Sequence, residues 1–154
     1  MADSDEIFLA LDGELEASAE RIAEVLGLEP NGGFLDWSRE WSYTLGARSF
    51  DGKIGVYIGL NDFLPEPGEA QAMDGYAVAV DVQVRHRKDA QEAETRGVFE
   101  ALIAGFPEAP TLLSHNVTHL VAAYLPGAGT FTFAPRTTLD DPDIDVWKPW
   151  VIGG

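Results

Sequence analysis

Trp37-Ser-Arg-Glu-Trp-Ser-Tyr-Thr-Leu-Gly-Ala-Arg-Ser-Phe-Asp-Gly-Lys-Ile-Gly-Val-Tyr-Ile-Gly-Leu60 is the stretch on which the reading of the whole chain turns. From Trp37 to Leu45 the odd positions hold Trp, Arg, Trp, Tyr and Leu, while the even ones hold Ser, Glu, Ser and Thr. Successive side chains of a strand point to opposite faces, so this pattern predicts a half-buried strand with an aromatic face. After Asp51-Gly52, a strong turn signal, Ile54, Val56, Ile58 and Leu60 alternate with Lys, Gly, Tyr and Gly. The two segments together predict an aromatic-rich β-hairpin.

Upstream, Ile7, Leu9 and Leu11 predict a first strand, and Asp12-Gly13 opens a helix with Leu15, Ala19, Ile22 and Leu26 at helical spacing. Gly27 is placed to stop that helix, and Pro30-Asn-Gly-Gly33 reads as a turn. Downstream, residues 61–75 read as a long loop with two prolines and four acids, a length often functional in compact domains. A valine-alternating strand follows over 76–84. A second helix begins at Asp89, with Glu92 as a capping-box variant, and ends at Pro107. Residues 112–125 read as one long strand, Pro126-Gly-Ala-Gly129 as a turn, and 130–133 as a returning strand.

The predicted order is β-α-β-β-β-α-β-β. It describes an α+β fold with a mainly antiparallel sheet of about six strands and both helices on one face. A chain of 154 residues with 45% hydrophobic composition supports one domain over 1–154, with an acidic, irregular tail over 136–154.

The charge narrows the function. Asp and Glu number 26 against 10 Lys and Arg, for a net of −16. Such a field repels nucleic acid and anionic membranes and draws basic surfaces, although solubility alone also accounts for it. With no cysteine in the chain, disulfides, thiolate nucleophiles and zinc–thiolate sites are excluded. The acidic start lacks a basic region and an apolar core, and no run approaches the roughly 20 apolar residues that span a bilayer, so a cytoplasmic protein is expected. The chain contains no phosphate-cradling glycine loop and no Gly-x-Ser-x-Gly elbow. The basic run Arg85-His-Arg-Lys88 is too small for a nucleic-acid patch inside this field, and reads as pairing with nearby acids. The closing Gly153-Gly154 matches the end of ubiquitin-like modifiers, but the predicted element order does not.

The acidic elements are the candidate partner-binding residues. Glu16, Glu20 and Glu24 form one stripe of the first helix, mildly self-repelling unless something basic meets it. The 61–75 loop contributes Asp62, Glu66, Glu69 and Asp74. The tail contributes Asp140, Asp141, Asp143 and Asp145 beside Trp147 and Trp150, which either anchor a partner or pack the tail onto the sheet. No cofactor or metal is expected. His115 and His119 lie four residues apart, which along one strand is about 13 Å and too far to share an ion.

This layout has a strand–helix start, a Trp-rich hairpin, a Val-alternating strand leading to Val98-Phe-Glu-Ala-Leu102, and a Trp-containing acidic end. It resembles bacterial immunity proteins encoded beside polymorphic or contact-dependent toxins. The resemblance implies a one-to-one inhibitor of a toxin, often a nuclease with a basic cleft, and carries over no residue by position. The expectation is therefore an acidic, non-catalytic binding protein for a basic, toxin-like partner. The alternatives are a nucleic-acid mimic that blocks a DNA-binding protein, or a small enzyme using His115, His119 and a carboxylate.

Overall fold

The structure is a computed structural model that describes residues 4–63, 67–85 and 87–152. Its centre is one open antiparallel sheet of eight strands in the order β2-β3-β4-β5-β1-β6-β7-β8. The strands are β1 Asp5–Leu9, β2 Glu29–Leu35, β3 Glu40–Gly46, β4 Lys53–Leu60, β5 Val78–Gln83, β6 Thr111–His115, β7 His119–Leu125 and β8 Gly129–Thr132. The helices are α1 Leu15–Leu26, α2 Gln91–Gly105 and the short α3 Ile144–Trp147. No helix of the described residues is long and apolar enough to cross a membrane.

The α+β class and the antiparallel sheet agree with the sequence pattern, while two details of the strand count do not. Pro30-Asn-Gly-Gly33 is not a turn but the bulged middle of edge strand β2, whose pairing with β3 shifts between Pro30 and Gly33. Gly32 and Gly33 hold φ of 92° and 69°, a left-handed conformation that suits glycine and builds the bulge. The real turn is at 36–39, where the Arg39 amide donates to the Leu35 carbonyl at 2.7 Å. Trp37 and Arg39 therefore leave the predicted aromatic face of β3, and Trp41, Tyr43 and Leu45 keep it.

Residues 112–125, expected as one strand, fold back at Asn116-Val117-Thr118 into β6 and β7. Asn116 and Val117 both have positive φ, near 51° and 52°. A β-branched residue rarely adopts that conformation, so the pattern conceals the turn, and Val117 is held there by packing on a hydrophobic cluster.

One face of the sheet carries the main core. Ile7, Leu9, Val56, Ile58, Val80, Val82 and Leu113 pack there against Ala19 and Ile22 of α1 and Val98, Phe99 and Leu102 of α2. Gly27, at φ 71°, ends α1 as the sequence predicts. The capping box at Asp89 does not form: Asp89 sits in a 3-10 turn and pairs bidentately with Arg87 at 3.0 Å. Gly105 lets α1 and α2 approach, since a Cβ there would sit 2.4 Å from Val25 Cγ1.

The opposite face is covered only in part. Phe8, Leu112, Leu120, Ala123 and Phe133 form a second core with Ala72, Met73 and Tyr76 of the 67–77 segment and with Leu139 and Trp147 of the tail. The tail is ordered rather than irregular. The Leu120 amide donates to the Thr137 carbonyl at 2.8 Å, the Ala72 amide to the Leu139 carbonyl at 2.8 Å, and Phe131 and Trp150 stack at 4.6 Å. Beyond Phe8, toward β3, the described residues of this cluster supply no further cover.

Candidate functional site

The uncovered half of the second face is polar because alternation along five strands makes it so. Cross-strand partners place Ser42, Tyr57, Asp81, Glu6 and Ser114 in one row, and Glu40, Gly59, Ala79, Phe8 and Leu112 in the next. Gly59 and Ala79 have little or no side chain, and over them lies a hollow of about 410 Å³. Glu6, Glu40, Asp62 and Asp81 line it, with Phe34, Leu60 and Phe63 around them. A Cβ on Gly59 would lie 3.0 Å from Glu40 Cγ, so glycine there keeps the floor low.

The carboxylates are poorly compensated. Glu6 is only 6% exposed. Its Oε1 accepts from Ser4 Oγ at 3.2 Å, and its Oε2 has no hydrogen-bond partner among the described residues. Asp81, the direct partner of Glu6 across β1 and β5, accepts from Gln83 Nε2 at 2.9 Å on Oδ2 and has no partner on Oδ1 among the described residues. Burial, reinforced by the charges of Asp81, Asp5 and Glu40, pushes the Glu6 carboxyl up to about 8. Burial likewise raises Asp81, with Asp5 adding to the effect and Gln83 and Arg85 opposing it. Glu40 is raised by burial and then by Asp81 and Asp62. The nearby cations do not neutralise the group. Arg85 donates to Tyr57 Oη and Gln83 Oε1, and Arg39, at the rim, forms no ion pair among the described residues.

The rim is apolar. Of the six large hydrophobic residues exposed among the described residues, Phe34, Leu60 and Phe63 line the hollow. A fourth, Trp37, is 85% exposed in the turn that also brings Asp36, Ser38 and Arg39 to the hollow.

On the other side of β1, Asp5 and His115 form a second centre. Asp5 is 4% exposed and meets His115 Nδ1 at 2.5 Å, while its Oδ2 accepts from Gln91 Nε2 at 3.1 Å. Gln91 also donates to the Val82 carbonyl and accepts from the Val84 amide, which pins the start of α2 to the sheet. His115 and Asp5 border a cavity of about 590 Å³ between α2 and strands β6 to β8, also lined by Lys88 and Arg96. His115 and His119 are cross-strand partners beside a turn, not residues 13 Å apart along one strand. No group of three or more ligating His, Asp or Glu side chains able to hold a metal ion occurs among the described residues.

The acids singled out by sequence are dispersed. Glu16, Glu20 and Glu24 are exposed on α1, and the first two border a small cleft with Trp41 and Tyr43. Asp62 lines the hollow. Glu69 and Asp145 are exposed, and Glu66 lies outside the described residues, as do His86 and the final diglycine. Asp74 accepts from the Gln71 amide, Asp141 from the Ala70 amide, and Asp143 from the Thr138 amide and hydroxyl, all acting to tie down the second-face cover. The Asp140 carbonyl receives Trp147 Nε1 at 3.1 Å. Trp147 is 4% exposed and is a core residue, so it does not present an aromatic anchor.

Glu6, Glu40 and Asp81 were missed because a strand pattern shows which face a residue takes but not which residues become neighbours. The available signal was a charged residue in phase on three strands. Comparison with protein-family models, curated proteins and solved structures finds no match.

Proposed function

We propose that this chain is an immunity-type binding protein, without catalytic activity of its own, that occludes a basic, toxin-like partner with the face around the 36–39 turn. The observation that carries this reading is the coincidence of exposed Phe34, Trp37, Leu60 and Phe63 with undercompensated carboxylates in one place. Interface centres combine aromatic anchors with a few desolvated polar groups, and complementary charge steers the encounter. The acidic stripe of α1 and the field of −16 extend the attraction beyond the contact itself.

The test is capture of a basic protein from the native cell by the wild-type chain, by a Trp37→Ser, Phe63→Ser variant and by a Glu24→Gln variant. Capture by the wild type should weaken as salt rises from roughly 50 to 500 mM, because screening shortens the reach of the field. The double variant should lose the partner, and Glu24→Gln should keep it. Equal capture by all three places the interface elsewhere.

One observation favours a second reading. Asp5 holds the His115 ring beside a cavity, the arrangement that orients an imidazole for acid–base work. If the chain is such an enzyme, His115→Ala abolishes turnover and leaves capture of the basic partner unchanged.

A further inference from the structure

We infer that the hollow over Gly59 and Ala79 is a seat for one guanidinium group, an arginine side chain of the partner, held between Glu6 and Asp81. The inference rests on the proposed basic-partner reading and specifies the group that this surface takes.

Two features point to a ligand rather than to a solvated acidic face. First, Glu6 is only 6% exposed, yet its Oε2 has no hydrogen-bond partner among the described residues. A buried carboxylate oxygen without a hydrogen bond is costly, and native structures rarely keep one without a use. Second, Asp81 stands directly opposite with its Oδ1 equally unpartnered. Cross-strand partners have β-carbons about 4.5–5.5 Å apart. Two acceptors at that spacing fall within the span of a single planar group with several N–H donors.

The donor chemistry selects guanidinium over the other cations. A metal ion needs three or more ligating side chains converging on one point, and no such group exists among the described residues. An ammonium is a compact, strongly hydrated charge that gains least from an apolar rim. A guanidinium is planar, less hydrated, presents five donors in a fixed fork, and stacks on aromatic faces. Phe63, beside Phe8 on this face of the sheet, supplies an aromatic surface, and Glu40 and Asp62 supply further negative charge at the wall. Among the described residues the two nearby arginines leave the place open, since Arg85 is engaged with Tyr57 and Gln83 and Arg39 pairs with no carboxylate.

Occupation is linked to protons. Glu6 faces Asp81 from β5, Glu40 from β3, Asp5 from its own strand, Asp62 after β4, and Asp36 and Arg39 from the 36–39 turn. Burial, reinforced by this gathering of acids, holds the Glu6 carboxyl at about 8 and so keeps it protonated near neutrality. A bound cation favours the ionised form, so binding should release a proton and tighten as pH rises toward 8.

The experiment titrates the full chain with N-acetyl-arginine amide, N-acetyl-lysine amide, N-acetyl-citrulline amide and free arginine, following the backbone amides of Glu6, Gly59 and Asp81 by NMR at two pH values on either side of neutrality. The blocked arginine should move these signals, and bind at least about tenfold tighter than the lysine probe, a difference of ~1.4 kcal/mol. Citrulline, the neutral isostere, should not bind. Free arginine, whose α-ammonium and carboxylate offset each other, should move the same signals through its guanidinium. Glu6→Gln and Asp81→Asn should each weaken the arginine probe about tenfold or more while leaving the fold intact, because each removes a carboxyl that can ionise against the bound cation and keeps the shape.

Equal binding of lysine, binding of citrulline, failure of free arginine to move these signals, or indifference to both substitutions overturns the inference. If the probe fails while Trp37→Ser, Phe63→Ser still loses the partner, the guanidinium seat falls and the partner surface stands. If the probe binds but the double variant keeps its partner, the seat stands and the surface reading falls.

Discussion

Phe8 and Glu6 lie two residues apart on β1, point to the same side of the sheet, and have opposite surroundings. Phe8 is fully buried beneath Met73, Tyr76 and the tail, in an apolar layer. Glu6 is almost as inaccessible, yet has an unsatisfied oxygen and a second carboxyl opposite. One half of the face is finished by the chain itself. The other half keeps charge and apolar surface uncovered where burying or pairing them would have been more stable. Local departures from the pattern that stabilises the remainder of a fold are expected where a protein meets something else.

The covered half should respond to cavity formation, and Trp147→Ala carries the largest expected effect. Removing this indole from beneath the tail should cost about 3–5 kcal/mol, measured as a shift in the urea midpoint at constant slope. A loss below about 1 kcal/mol would mean that the tail lies loosely on the sheet and that the contrast with the open half is false.

The open half should respond to pH. Glu6 is higher in the folded chain, at about 8, than the 4.5 of an unperturbed glutamate. Between those values the unfolded chain gives up the proton and the folded chain retains it, so stability falls as pH rises from 4.5 and levels off above about 8. Asp81 and Glu40, also raised, act in the same direction. Glu94 acts in the opposite one: burial raises it, but hydrogen bonds from Ser49 and the Arg48 and Ser49 amides prevail and lower it, so its contribution is lost on acidification below 4.5. Stability should therefore peak in mild acid. Glu6→Gln should flatten the alkaline limb and stabilise the chain at pH 8 by roughly 4 kcal/mol. A wild-type profile that rises from pH 5 to pH 8 would contradict the burial of an uncompensated carboxyl.

Glu94 provides the control for a buried carboxylate that is satisfied. It closes the 47–52 connection between β3 and β4 by accepting from two backbone amides and one hydroxyl. Glu94→Ala should cost about 2 kcal/mol, in the range of charge-assisted hydrogen bonds, with its effect largest above pH 5. Removal of a carboxylate thus destabilises at this position and stabilises at Glu6. A common sign for the two substitutions would erase the distinction.

How far the sequence could go follows the same division. The β3–β4 hairpin, both long helices and the Gly27 stop were legible because each rests on local periodicity or on one residue's conformational freedom. The bulged β2 was hidden by glycines that read as a turn. The 116–118 turn was hidden by a valine in a conformation that valine rarely takes. The hollow was beyond reach for a different reason: Glu6, Asp81 and Glu40 meet only through strand order and register, both set by long-range packing. The tail acids were legible as acids, but Asp141 and Asp143 are occupied by backbone amides, which composition does not reveal.

The smallest effect on stability is expected at Trp37, and it tests the comparison most directly. An 85% exposed indole in a four-residue turn contributes little to the fold, and Trp37→Ser should change the unfolding free energy by no more than about 0.5 kcal/mol. The adjoining Phe34 is secured independently, its ring 5.2 Å from that of Trp41, so the hairpin keeps its shape without the indole. The cost of exposing so large a side chain lies in solubility, and the serine variant should also self-associate less at high concentration, measured by sedimentation. A loss of several kcal/mol would make Trp37 a structural residue of the β2–β3 hairpin and remove the aromatic anchor from the open face. An unchanged fold leaves a tryptophan whose exposure the folded chain alone does not explain, beside carboxylates in the same condition.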